Sequence, residues 1–280
     1  MAVNTKKVGS IDLPMTGFGT YPMRGDICEA AVRCALSEGY RLIDTAFNYH
    51  NEDAVGRAVK NSGIPRSEIM ITTKVYHQSF ENARASVEAS MKNLGTDYLD
   101  IVLLHWPFGN YYAAWRVLED MKKEGYIREI GVSNFAPDRL IDICHYNAEK
   151  PVINQAETHL YCQRTKEHVY ETKLGIAHEA YSPLGASRAN EMFAEPTVRA
   201  IAERTGKTPS QVMLRYLIES DTIIVPKSST PARIAENLDI FDFSLLDEEK
   251  EELKKLDKAA PVFGNAEDPD WAEQAVNWEL

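Results

Sequence analysis

Four residues pose the chemical question in this chain: Asp44, Tyr49, Lys74 and His105. Asp44 closes the run RLID (41–44), and Tyr49 follows five residues later. Lys74 stands near the end of EIMITTKV (68–75), and His105 closes DYLDIVLLH (97–105). A free tyrosine, with a pKa of about 10, is a poor acid at neutral pH. A nearby ammonium favours phenolate, so Lys74 is expected to lower that value. A carboxylate such as Asp44 keeps a buried lysine charged, because an unpaired buried ammonium tends to lose its proton. A histidine can polarise or orient a carbonyl oxygen. Together these residue types describe general acid catalysis at a carbonyl that is becoming an alkoxide. Taken singly, each has an ordinary reading: Asp44 as a cap, Lys74 as a solvated charge, His105 as a packed histidine beside Trp106-Pro107.

Whether the four meet depends on the elements that carry them. Short β-branched runs alternate with helical segments of about 10–15 residues. After a hairpin near 3–13, strands are expected at 15–20, 41–44, 68–75, 97–105, 128–134, 151–157, 175–182 and 222–227. Helices are expected between them: one capped by Asp26 and ended by Gly39, one over 52–61, and one burying Ala83, Val87, Met91 and Leu94 before Gly95. Others cover 111–124, start at Pro137, cover 165–172, and start at Pro196 and Pro209. Thr230-Pro231 caps a helix through Leu238, a last one spans 246–257, and an acidic, loop-like tail follows. Eight βα repeats predict a closed (β/α)₈ TIM barrel with an N-terminal β-hairpin and extra C-terminal helices, as one domain over 1–280. A doubly wound open sheet is the competing architecture. In a barrel, chemistry sits at the C-terminal strand ends, which is where Asp44, Lys74 and His105 fall.

The balance of 31 Lys+Arg against 42 Asp+Glu, a net charge of −11, excludes a general nucleic-acid binder. No apolar run approaches the ~18 residues of a membrane span, and the N-terminus carries no secretory pattern. The four cysteines form no C-x-x-C pair and read as reduced thiols of a cytoplasmic protein. The histidines other than His105 show no H-x-H or H-E-x-x-H spacing, so no metal site is expected. The acidic surface suggests a monomer or weak dimer.

A phosphate signal lies late in the chain. GFGTYPMRG (17–25) lacks the G-x-G-x-x-G spacing. VPKSSTPARIAEN (225–237) places Lys227 and Ser228 at a strand end, Thr230 at a helix start and Arg233 in its first turn. A helix N-terminus with one Lys and one Arg makes an anion site. Loops after the last two strands of such barrels often bind phosphate.

These segments resemble the aldo-keto reductase superfamily over nearly the whole chain. GYRLIDTAFNYHNEDAVG (39–56), ITTKV (71–75), NLGTDYLDIVLLHWP (93–107), GVSNF (131–135), NQAE (154–157), AYSPLG (180–185) and VPKSSTPARIAEN follow in the family's order. The resemblance is nearest to small bacterial members such as 2,5-diketo-D-gluconate reductases. It implies a catalytic tetrad of Asp44, Tyr49, Lys74 and His105, and direct hydride transfer from NADPH to a small carbonyl substrate without a metal. The nicotinamide would stack on Tyr181, with its amide held by Ser133, Asn134 and Gln155. Thr20, Ser182, Leu184, Gly185 and Pro226 would border the cofactor. Lys227, Ser228 and Arg233 would hold the 2′-phosphate of NADP, and Glu236 and Asn237 would face the adenine. Tyr21, Tyr76 and Trp106 would wall an aromatic substrate cleft. The tail from 262 onward departs most from the family, and substrate choice in this fold resides in such loops. Two other readings stay open: a Schiff-base lyase using Lys74, and a non-catalytic regulatory protein that binds NADPH.

Overall fold

The computed structural model describes residues 4–278. A hairpin of β1 (Thr5–Val8) and β2 (Ile11–Pro14) turns at Gly9 and Ser10, where Gly9 takes a positive φ of 57°. Eight parallel strands follow: β3 (Phe18–Gly19), β4 (Leu42–Asp44), β5 (Met70–Val75), β6 (Leu99–Leu104), β7 (Ile127–Ser133), β8 (Ile153–Glu157), β9 (Ala177–Tyr181) and β10 (Ile223–Val225). They pair in chain order. The ring closes where Gly17 N donates to Ile224 O, Ile224 N to Met15 O and Gly19 N to Pro226 O, all at 2.8–3.0 Å. The expected TIM barrel is the fold, and the open sheet is excluded by this closure.

The crossovers carry helices, most of which bury one apolar stripe. In α1 (Gly25–Glu38) the buried residues are Cys28, Ala31, Val32, Ala35 and Leu36, the three- and four-residue spacing of one helical face. In α3 (Ala83–Leu94) Ala83, Val87 and Leu94 are buried and Met91 is only partly so. The other crossover helices are α2 (Glu52–Lys60), α4 (Tyr111–Lys123), α5 (Pro137–Tyr146), α6 (Thr165–Leu174), α7 (Ala189–Phe193), α8 (Pro196–Thr205) and α9 (Pro209–Glu219). After β10 come α10 (Pro231–Leu238), α11 (Asp247–Lys254) and α12 (Pro269–Ala275). The hairpin residues Val8, Ile11 and Leu13 join Leu42, Ile101, Leu103, Ile153 and Ile223 in one apolar cluster. That cluster plugs the amino end of the barrel, so the interior is a packed core and its polar residues are left at the two ends.

Several local expectations differ from the structure. Asp26 lies in the first turn of α1 and does not cap it: the helix starts at Gly25 after Arg24, with no side-chain cap. Thr230 holds the cap position of α10, but its side chain makes no capping bond; Ser228 Oγ accepts from Thr230 N instead. The helix α7 arises between Gly185 and Pro196, where a connection was expected. The tail is not simply loop-like, because it folds α12 back across the carboxyl end of the barrel. The four cysteines are free, Cys28 and Cys162 buried and Cys34 and Cys144 partly so.

Candidate active site

The carboxyl ends of β4, β5 and β6 bring Asp44, Lys74 and His105 onto one rim, as the strand register requires: Asp44 pairs with Thr72 and Lys74 with Leu103. A short 3₁₀ turn, Phe47–Tyr49, follows β4 and ends at His50 in the left-handed region. Asn51 fixes that turn: its amide donates to Met23 O at 2.9 Å, and its oxygen accepts from Thr45 Oγ1 at 2.6 Å. Glu52, buried, accepts from Thr73 Oγ1 at 2.7 Å and from Asn93 at 3.1 Å. Glu52 ties the tyrosine-bearing loop to the strand that carries the lysine, and Asn51 ties it to the segments that follow β3 and β4.

Lys74 has a wholly buried side chain. Its Nζ donates to both Asp44 oxygens, at 2.7 and 2.8 Å, and to Thr45 O at 2.9 Å. The Tyr49 hydroxyl lies at 3.4 Å from the same Nζ, and Asp44 Oδ1 also accepts from Gln155 Nε2 at 2.7 Å. The His105 ring stands edge-on to Tyr49 at 5.8 Å between centroids. Its Nδ1 is buried without a partner.

The electrostatics correct one expectation. The Tyr49 hydroxyl is held well above the usual phenol value, first by burial and then by the Asp44 charge. The Lys74 ammonium, shared at shorter range with the Asp44 carboxylate, does not outweigh that burial. Tyr49 is therefore a protonated phenol at neutral pH, a donor that holds its proton. His105 is pushed well below its ordinary value by burial, and by the Lys74 charge in addition, so the ring is neutral. A second buried carboxyl, Glu179, sits behind this group: its Oε1 accepts from Gln155 at 3.1 Å, and its Oε2 has no partner. Burial and the Asp44 charge raise it from 4.5 to about 8.

Above these groups lies a cavity of about 280 Å³, lined among others by Tyr21, Asn48, Tyr76, Trp106, Phe263 and Trp278. Tyr76 and Trp106 are buried, and Tyr21 is 53% exposed with its ring 4.9 Å from Tyr49. The tail supplies an aromatic cover: Trp271 packs on Trp106 at 5.0 Å, and Trp278 on Trp271 at 5.2 Å. Glu157, at the end of β8, anchors it by accepting from Val262 N at 2.6 Å and Phe263 N at 2.9 Å.

A second cavity of about 710 Å³ adjoins the first, and both are walled by Tyr21, Ser182, Lys227 and Phe263. Leu184, Pro226, Ser228, Arg233, Glu236 and Asn237 line it. Lys227 and Arg233 are exposed, and among the described residues neither has a carboxylate within ion-pair distance. Every salt bridge nearby uses other cations. Two free cations on a long groove that runs to a phenol and an imidazole fit a phosphate-bearing dinucleotide.

A family model described as "Aldo/keto reductase family" matches residues 16–258. The chain belongs to the aldo/keto reductase family. It is 41% identical over 256 residues to an aldo-keto reductase of Mycobacterium avium, covering 90% of this chain and 88% of that one. It is 38% identical over 249 residues to the methylglyoxal reductase DkgA of Escherichia coli, covering 88% and 90%. Among solved structures, an aldo/keto reductase from Brucella melitensis superposes with a TM-score of 0.88 at 40% identity, over 91% of this chain and all of that one. A Bombyx mori aldo-keto reductase solved with NADP gives 0.90 at 30% identity, over 98% of each chain. The fold and the carbonyl-oxidoreductase class follow from this membership.

Within this aldo/keto reductase most of the residues singled out from sequence fall into three overlapping groups. The first faces a cavity: Asp44, Tyr49, His105, Ser133, Asn134, Gln155, Tyr181 and Ser182 in the inner one, and the Lys227–Asn237 set in the outer. Tyr181 donates to Asn134 Oδ1 at 3.1 Å, and Asn134 and Ser182 take positive φ of 63° and 49°, which turns the chain at the rim. The second group has its polar atoms partly engaged by the protein: Thr20 Oγ1 donates to Asp44 O, Ser133 Oγ to Gln155 O, and Glu236 accepts from Thr208 and Ser210. The third is Gly185, which lines neither cavity. It turns at φ 71° under Met192, whose methyl a Cβ there would strike at 1.9 Å. The sequence reading did not name Asn48, Phe263, Trp278 or Glu179. The aromatic density of the tail was the one visible signal for Phe263 and Trp278.

Proposed function

We propose that this protein reduces small aldehydes or ketones with NADPH, with Tyr49 as the proton donor and Asp44, Lys74 and His105 completing the catalytic set. The observation that carries this reading is the buried chain Asp44–Lys74–Tyr49 opening beside neutral His105 onto a cavity continuous with the Lys227/Arg233 groove. NADPH, when bound, supplies the hydride. The chain's own residues do the rest. Asp44 fixes Lys74, which lies against the phenol oxygen and stabilises negative charge there as the proton leaves Tyr49. His105 and Tyr49 flank the position of the carbonyl oxygen, one to orient it and one to protonate it. Tyr76, Trp106, Phe263 and Trp278 keep water from the reacting carbon and favour small substrates.

Ser133, Asn134 and Gln155 are proposed to hold the carboxamide, and Tyr181 to carry the nicotinamide ring. Thr20, Ser182, Leu184 and Pro226 border the cofactor path. Lys227, Ser228 and Arg233 are assigned to the 2′-phosphate, and Glu236 and Asn237 to the adenine side. The relative named methylglyoxal reductase supports α-dicarbonyls as the first class to try. A lyase reading requires a neutral, unencumbered Lys74, whereas its Nζ is saturated by Asp44 and Thr45.

The test is steady-state consumption of NADPH and of NADH with methylglyoxal, an aromatic aldehyde and a diketo sugar acid. Tyr49→Phe is expected to lower kcat by about 10²–10⁴ with NADPH affinity retained. Wild-type turnover in that variant refutes the donor assignment. Arg233→Ala is expected to weaken NADPH by about tenfold or more and NADH little, because one charge-assisted hydrogen bond is lost only with the phosphate. Equal losses refute the 2′-phosphate role.

A further inference from the structure

At the opposite end of the barrel from the phenol, His168 and Glu171 stand one turn apart on α6 and face His178 at the start of β9. A ligand atom from each lies within 4.8 Å of the others. Glu171 and His178 are 1% and 3% exposed, and His168 is partly exposed. All three line a cavity of about 220 Å³ that also reaches Lys6, Val152 and Asp221. We infer that His168, Glu171 and His178 form a binding site for a divalent transition-metal ion of the zinc class, separate from the catalytic rim.

The donor set selects the class. Two imidazoles and one carboxylate suit zinc, cobalt or nickel and not calcium or magnesium, which need more oxygen ligands. Three protein ligands beside a cavity leave a fourth position for water. Surrounding groups hold two of the ligands in the manner metal sites use. Glu171 Oε1 accepts from Asn154 Nδ2 at 2.7 Å, which leaves Oε2 turned toward His178 Nδ1, 2.7 Å away. His178 Nε2 lies 2.7 Å from Thr158 Oγ1, and His168 Nε2 lies 3.5 Å from Thr222 Oγ1.

Thr158 also makes the site adjustable. Its hydroxyl has two available partners, His178 Nε2 and, at 3.2 Å, Ala156 O. With the hydroxyl proton on Nε2, Nδ1–H donates to Glu171. When the hydroxyl turns to Ala156 O, its oxygen accepts from Nε2–H, and Nδ1 presents a lone pair. The imidazole therefore changes tautomer without stranding a buried polar atom, and Nδ1 and Oε2 together face a cation in place of a proton. The nearest positive charge, Lys6, is matched by Asp221 at 2.6 Å.

The probe is Zn²⁺ alone, titrated calorimetrically into full-length, chelator-treated protein, with Co²⁺ absorption as a second readout. One saturable site is expected, with cobalt d–d bands and a raised Tm when the metal is added. His168→Ala removes the most exposed ligand and little packing. It is expected to weaken the site by at least about tenfold, abolish the cobalt bands and leave apo Tm and NADPH-dependent turnover unchanged. Asn154→Asp is not used, because that residue also pairs with Phe135. Glu171→Gln serves as the second variant, with the same expected loss of binding. No saturable binding by wild-type protein, or equal binding by wild type and His168→Ala, overturns the proposal and leaves a hydrogen-bonded buried triad.

Discussion

Two buried aspartates at opposite ends of the barrel make nearly the same bonds and do different work. Asp44, at the carboxyl end, accepts twice from Lys74 and once from Gln155. Asp100, near the amino end of β6, accepts from Arg66 at 2.8 Å, Arg128 at 2.9 Å and Ile71 N at 3.0 Å. The cations of Asp100 are 23% and 42% exposed and touch nothing reactive. The cation of Asp44 is sealed, and beyond Asp44 it meets the Thr45 carbonyl and the phenol. The lesson is that pairing alone does not make a site. The Asp100 network ends in arginines that reach solvent, whereas the Asp44 network ends in a buried phenol that borders an open cavity.

That contrast can be broken most forcefully at Lys74. Lys74→Met leaves Asp44 buried without its cation, so stability is expected to fall by about 3–5 kcal/mol. Turnover is expected to fall by about 10²–10⁴. Denaturant unfolding and NADPH-coupled assays on the same preparation read both. An active, equally stable Lys74→Met protein would end the distinction between the two aspartates. Asp100→Asn is expected to cost about 2–3 kcal/mol, since its arginines can rehydrate. kcat/KM should stay within about twofold, because no part of that network reaches the cavity. A large loss of activity at unchanged stability would contradict the division drawn here.

The smallest expected effect concerns Glu179, which lies behind Asp44 and has no cation within ion-pair distance among the described residues. Its folded pKa is raised, from 4.5 to about 8. Below about pH 4.5 the carboxyl is protonated whether the chain is folded or not. As pH rises from there to about 8, the unfolded chain ionises while the folded one keeps its proton, so stability falls across that window. Glu179→Gln should flatten this part of the pH–stability curve and leave the protein relatively more stable near pH 8. Curves of equal slope for the two proteins would show that Glu179 is ionised in the fold.

Much of this was legible before any coordinates. The four residues were visible because Asp44, Lys74 and His105 lie at strand ends and Tyr49 follows in the loop after Asp44, and a closed parallel barrel brings all strand ends to one rim. Proline at the starts of α5, α8, α9 and α10 and glycine at the ends of α1, α3, α6 and α8 marked boundaries through local chemistry that needs no partner. The helix in the tail was not legible. Its Trp271 packs on Trp106 and Phe108, far away in the chain. His168, Glu171 and His178 were equally hidden, because two lie on a helix and one on the next strand, with no recognisable spacing.

The sequence by itself determined the strand order, most of the helices and the identities at the strand ends, since these follow from periodicity and from residues acting through their own backbone. Only the tertiary structure decided how charge is distributed among them. Lys74 is shared with Asp44, and burial outweighs it at Tyr49. Glu179 is kept protonated, and the aromatic tail closes over the cavity. Each of these depends on burial and on distances between residues remote in the chain, and electrostatic interactions in a low-dielectric interior are set by those distances and not by order along the chain.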